Sequence, residues 1–200
     1  MTLDQQRGEH GANKPVHYPE RDGKPMGETE THIREIMRLI QTLDGVFADR
    51  PDVYVGGDLL VYYEEGNPCA VVVPDVFVVL GAPKLPWRRI YKLWEERLPP
   101  TFVVEVTSPS TRREDMARKR TLYARLGVSE YVLYDPLDEY LRPPLQGYRL
   151  VDGDYRAMEA DQDGALLSEA LNMRLALVDG RLRLFDRQSG AMFLSAAERT

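Results

Sequence analysis

The chain is 200 residues long, enough for one domain with its own hydrophobic core and short for two. Its 43% hydrophobic and 29% charged residues exclude wholesale disorder, and a net charge of -6 excludes a protein that coats nucleic acid by bulk charge. One cysteine, Cys69, excludes an internal disulfide or a multi-cysteine zinc site, and no run approaches the ~20 apolar residues of a membrane span.

Residues 1–27 are polar and aperiodic, with no apolar signal-peptide core, and are expected as a flexible arm on a cytoplasmic protein. Ile33, Ile36, Met37, Ile40 and Leu43 then recur at spacings of three and four, which predicts an amphipathic helix over 28–43. The block DLLVYYEEGNPCAVVVPDVFVVLG reads as two strands turning at Glu65-Gly66-Asn67-Pro68. The second, 70–80, is apolar throughout except for Asp75, so it should be buried on both faces. Residues 82–98 are basic and aromatic and predict a loop and short helix, with Trp87, Tyr91 and Trp94 spaced to share one helical face.

After Pro99-Pro100, TFVVEV is a strongly β-branched strand. Thr111 and Glu114 form a capping-box pattern that opens a helix, and Gly127 closes it. YVLYDP is a further strand, and Asp152-Gly153 and Asp179-Gly180 predict two hairpins. Residues 186–200 read as a tail beyond one domain spanning 28–185. Alternating strands and helices of this kind predict an α/β fold, a mixed sheet with helices packed on it.

Charge is unevenly spread. Residues 84–125 hold eleven Lys/Arg against five acids and are +6, while the remainder is -12. Such a segment fits a local phosphate-facing surface, but on charge alone a pair of well-solvated helices is the favoured reading.

Two acids stand where acids are costly. Asp75 sits within VVVPDVFVVL and Glu105 near the end of TFVVEV; an ionised carboxylate in such surroundings must be paired or bound to a cation. Alternation puts Glu105 and Thr107 on one face of their strand and Val104 and Val106 on the other. If the two strands are neighbours, both carboxylates converge on one point, the oxygen donor set that holds Mg²⁺. On the following helix, Met116, Leu122, Tyr123 and Leu126 make an inward stripe with Lys119 at its centre. A lysine there either snorkels or faces a buried acid. A structural Glu105–Lys119 ion pair would explain two of the three residues, but all three together favour a site.

The matching text is VVVPDVFVVL, then PPTFVVEVTSPSTRREDMARKRTLYARLGVSEYVLYDP, and later LSEALNMRLALVDGRLRLFD. This pattern resembles the Uma-two family, a mostly bacterial group of restriction-endonuclease-like proteins within the PD-(D/E)xK superfamily. The resemblance implies the restriction-endonuclease-like fold and metal-assisted hydrolysis of phosphodiester bonds in DNA, with RNA left open. It makes Asp75 and Glu105 the acids holding Mg²⁺ or Mn²⁺, adds the Val106 carbonyl as a ligand, and implies a transition-state role for Lys119. The superfamily pattern would put its lysine at 107, where this chain has Thr107. The family also tends to carry a histidine in its first helix, matched by His32 at the rim of the buried stripe; a structural role is the simpler reading of it, and Glu28 and Glu35 are weaker candidates. Arg112, Arg113, Arg118 and Arg120 would hold neighbouring phosphates; Trp87, Tyr91 and Trp94 are candidates for stacking on exposed bases, with a core or interface role the favoured reading. A homodimer, in which two sites cut two strands, would follow the superfamily. The competing expectation is a catalytically silent relative that keeps the fold as a binding or assembly module.

Overall fold

A computed structural model describes residues 15–21, 29–107 and 114–199, the side chains of 114–116 excepted. The first helix, α1 (Glu30–Val46), starts two residues later than its periodicity predicts, because Thr29 caps it by accepting from the His32 amide, and it ends three residues later. A short strand, β1 (Val53–Gly56), follows where the sequence reading placed none; four residues between Asp52 and Gly57 carry too little pattern to stand out.

The predicted hairpin is β2 (Val61–Tyr62) and β3 (Val71–Val72). The expected single strand over 70–80 is broken. Pro74 has no amide hydrogen for a ladder, so pairing stops after β3 and a new strand, β4 (Val76–Leu80), begins in a different sheet. Asp75 therefore stands at the start of a strand and not in its middle. Then come β5 (Tyr91–Lys92), a one-turn helix α2 (Leu93–Glu96) and β6 (Phe102–Val106). The helix α3 (Glu114–Leu126) is stopped by Gly127 at φ +83°, as predicted. It leads into β7 (Glu130–Tyr134), β8 (Leu145–Val151), β9 (Asp154–Ala157), β10 (Leu166–Ser168), β11 (Met173–Val178) and β12 (Arg181–Asp186). Both Asp-Gly pairs turn hairpins as expected, all four residues having φ between +51° and +87°.

Six strands form the main sheet in the order β1-β4-β6-β7-β8-β9, and only β6 and β7 run parallel, joined through α3. It is a mixed α/β architecture, as the strand and helix pattern implied. One face carries α1 and the separate β10-β11-β12 sheet, packed through Leu39, Leu43, Val76, Val104 and Val132 against Leu175 and Leu182. The other carries α3, with Tyr123 against Val103, Tyr131 and Leu133. Buried Glu130 ties the main sheet to the C-terminal one, accepting from Arg149, Ser168 and the Glu169 amide. Beyond β12 the chain does not trail off: Phe193 bonds back to Leu184, and Glu198 pairs with Arg183. At the other end, Tyr18 lies against Tyr62 and Trp94. Among the described residues no helix is long and apolar enough to cross a membrane.

Candidate active site

The antiparallel pairing of β4 with β6 sets Val76 opposite Val104 and Phe77 opposite Val103. One further step along that register sets Asp75 opposite Glu105. The two acids are thus brought together by the same ladder that buries the valines, and the strand neighbourhood on which their convergence depended is present. Asp75 sits at the mouth, its side chain 19% exposed, and its Oδ2 accepts from the Val106 amide at 2.7 Å. The Asp75 backbone is packed tightly against Gly57, just after β1. A Cβ added at Gly57 would lie 2.6 Å from the Asp75 carbonyl oxygen and 2.4 Å from Ile40 Cδ1. Gly57→Ala should therefore cost about 1–3 kcal/mol by overpacking, read as a lowered Tm; an unchanged Tm would mean this contact has room to yield.

Glu105 is deeper, and both of its oxygens are engaged. Lys119 Nζ reaches Oε2 at 2.8 Å, and the Tyr123 hydroxyl donates to Oε1 at 2.6 Å. Lys119 also donates to the Val73 carbonyl at 3.1 Å, so α3 is pinned to β6 and to the segment that leads into β4. Burial pushes the Glu105 carboxyl up to about 8. Lys119 opposes that rise and the neighbouring Asp75 charge adds to it. Burial also holds the Tyr123 hydroxyl well above its ordinary value, with the Glu105 charge acting in the same direction, so Tyr123 is a fixed donor.

His32 joins the site from the opposite face of the sheet. It is 4% exposed; its Nε2 lies 2.8 Å from the Val106 carbonyl and 3.4 Å from Asp75 Oδ2. A carbonyl oxygen only accepts, so Nε2 carries the proton and donates. The histidine therefore does more than fill the rim of a helix. Three residues later, Glu35 turns to a different network, taking Arg38 at 2.6 Å and the Tyr134 hydroxyl at 3.3 Å.

The structure does not gather every predicted residue. Glu28, Arg112 and Arg113 lie outside the described residues. Arg118 is exposed on α3 and stands outside the cluster. Arg120 is not turned to solvent: its guanidinium lies 4.0 Å from the Tyr148 ring centroid and donates to the Tyr155 carbonyl, which commits it to packing. The three aromatics share no helical face, because the segment is loop, then strand, then one turn of helix. Trp87 is exposed, Trp94 meets Tyr18, and Tyr91 is fully buried with its hydroxyl on the Leu98 carbonyl, which excludes it from stacking on a base. The sequence reading had Tyr123 only as a core residue. Its place four residues after Lys119, on the same helical face, is the signal that would have paired it with Glu105.

Comparison with known proteins agrees with this geometry at the level of fold and family. The chain shares its fold with a crystal structure described as "a putative nuclease belonging to DUF820" from Anabaena variabilis ATCC 29413, at a TM-score of 0.51 and 14% identity, over 78% of this chain and 77% of that one. No curated protein sequence matches it. The sequence profile of the Uma2 family, described as "Putative restriction endonuclease", matches residues 12–180, and the chain belongs to that family.

Proposed function

We propose that the protein is a metal-dependent endonuclease that hydrolyses phosphodiester bonds in DNA, with Asp75 and Glu105 holding Mg²⁺ or Mn²⁺ and Lys119 acting on the phosphate. The observation that carries this reading is the β4–β6 register, which brings Asp75 and Glu105 opposite one another, with a half-buried lysine directed at Glu105. The donor set fits a hard divalent cation: two carboxylates and the Val106 carbonyl are oxygen ligands of the kind Mg²⁺ takes, its remaining positions being filled by water. Among the described residues there is no ready-made cluster of three or more His, Cys, Asp or Glu, so a carbonyl and waters would complete the shell. A divalent cation held by these groups would supply the Lewis-acid character that activates water and polarises a phosphate.

The chain's own groups do the rest. Lys119 supplies a fixed positive charge where negative charge builds on the phosphate oxygens. Val73 and Glu105 hold its ammonium in place. His32 orients the Val106 carbonyl from the far side, and Arg118 is free to meet a neighbouring phosphate. Arg112 and Arg113 would extend that contact. The charge of the site makes binding salt-dependent. A homodimer would bring two such sites to two strands.

One observation favours a second reading, a silent binding module. Each metal donor already has a protein partner: Asp75 has the Val106 amide, Glu105 has Lys119 and Tyr123, and the Val106 carbonyl has His32. Calorimetry with Mg²⁺ and Mn²⁺ separates the two, run beside plasmid cleavage for wild type and Asp75→Ala. The nuclease reading expects metal binding and cleavage, both lost in the variant. No binding at millimolar metal, even with an oligonucleotide present, would sink it.

A further inference from the structure

We infer that Thr107 is an outer-sphere residue of this site: its hydroxyl holds a water of the hydrated divalent cation carried by Asp75 and Glu105. The inference rests on the metal-dependent reading above and goes beyond it by naming a residue outside the donor set. The Thr107 amide donates to the Tyr134 carbonyl at 2.7 Å, so pairing of β6 with β7 continues one residue past the strand and fixes where Thr107 stands. Alternation then puts its side chain on the face of Glu105, away from the face where Val104 and Val106 enter the core against α1.

The residue is 4% exposed, and among the described residues its Oγ1 has no hydrogen-bond partner. Such a group is costly. A buried hydroxyl without a partner forfeits its bonds to water and gains nothing from the protein, whereas valine would fill the same volume without that loss. The hydroxyl is therefore better explained by a partner that arrives with a ligand. Residues two apart on a strand face have Cα atoms about 6.6 Å apart, which brings their side chains within reach of a shared water. Mg²⁺ gives up its waters reluctantly and is oriented through them by groups outside the first shell. Thr107 offers one such group, with both a donor and an acceptor.

The test uses the full chain and Mn²⁺ alone. Calorimetric affinity and the Tm without metal are measured for wild type, Thr107→Val and Thr107→Ser. Thr107→Val should weaken Mn²⁺ binding by about tenfold while leaving the metal-free Tm equal to or above that of wild type, and Thr107→Ser should restore the affinity. A Thr107→Val variant that binds Mn²⁺ as wild type does overturns the inference alone. So does a metal-free Tm that falls by several degrees and returns with serine, since the hydroxyl would then have a structural partner. A wild-type protein that binds no Mn²⁺ overturns the metal-dependent reading itself, and Thr107 with it.

Discussion

Replacing Glu105 by glutamine should abolish metal binding and cleavage and yet raise the stability of the metal-free protein above neutral pH. The carboxyl is buried with Lys119 and Asp75 for neighbours, and burial dominates, so the folded protein holds this proton up to about 8. The unfolded chain releases it near the ordinary value of 4.5. Between those two limits the folded state binds more protons than the unfolded state, so stability falls as pH rises. The contribution of Glu105 is fully present below about pH 4.5 and is lost as pH passes through about 8. Glutamine resembles the protonated acid in shape and in having a neutral head, and it cannot lose a proton. The Tm of Glu105→Gln should match wild type near pH 5 and stand several degrees above it at pH 8.5, consistent with a few kcal/mol spread over about 2–4 °C per kcal/mol. Thermal melts across that range check it. Parallel curves for the two proteins would mean that Glu105 is ionised throughout, held so by Lys119.

Lys119→Met should lower kcat by about 10²–10³ while leaving KM close to wild type, because a charge fixed at the phosphate acts mainly on the transition state. Methionine keeps the length and apolar stem that pack beside Tyr123 and removes only the ammonium. The same change withdraws the chief group opposing the rise in the Glu105 carboxyl, so Glu105 should hold its proton to still higher pH. Single-turnover cleavage with saturating DNA gives the first readout. An unchanged kcat with a raised KM would assign Lys119 to substrate binding, and no change in either would leave it a structural partner of Glu105 and Val73.

Much of this architecture is legible in the sequence alone. TFVVEV, the α3 helix with its Gly127 stop, and both Asp-Gly turns follow from local rules, since β-branching, 3.6-residue spacing and left-handed turn positions act within a few residues. Lys119 was legible for the same reason: its place on the inward stripe depends on helical period alone. The misreadings have local causes too. Pro74 cuts the apolar run over 70–80 into two strands of different sheets, a break that hydrophobicity by itself conceals. The 87–94 aromatics fit a helical spacing that the chain does not adopt, because Tyr91 pairs with β2 as a strand residue.

What the sequence determined by itself is which side chains turn inward: Asp75, Glu105 and Lys119 stand out as charged groups in apolar settings. What only the tertiary structure decided is which of them meet. His32 reaches Val106 across 74 residues, Lys119 reaches Val73 across 46, and Asp75 caps an amide 31 residues away. Those distances close only when β4 pairs with β6 and the two helices cover opposite faces of the sheet. Periodicity belongs to one segment and is written in its residues. Adjacency belongs to the whole chain, because it is set by how all the apolar faces are buried at once.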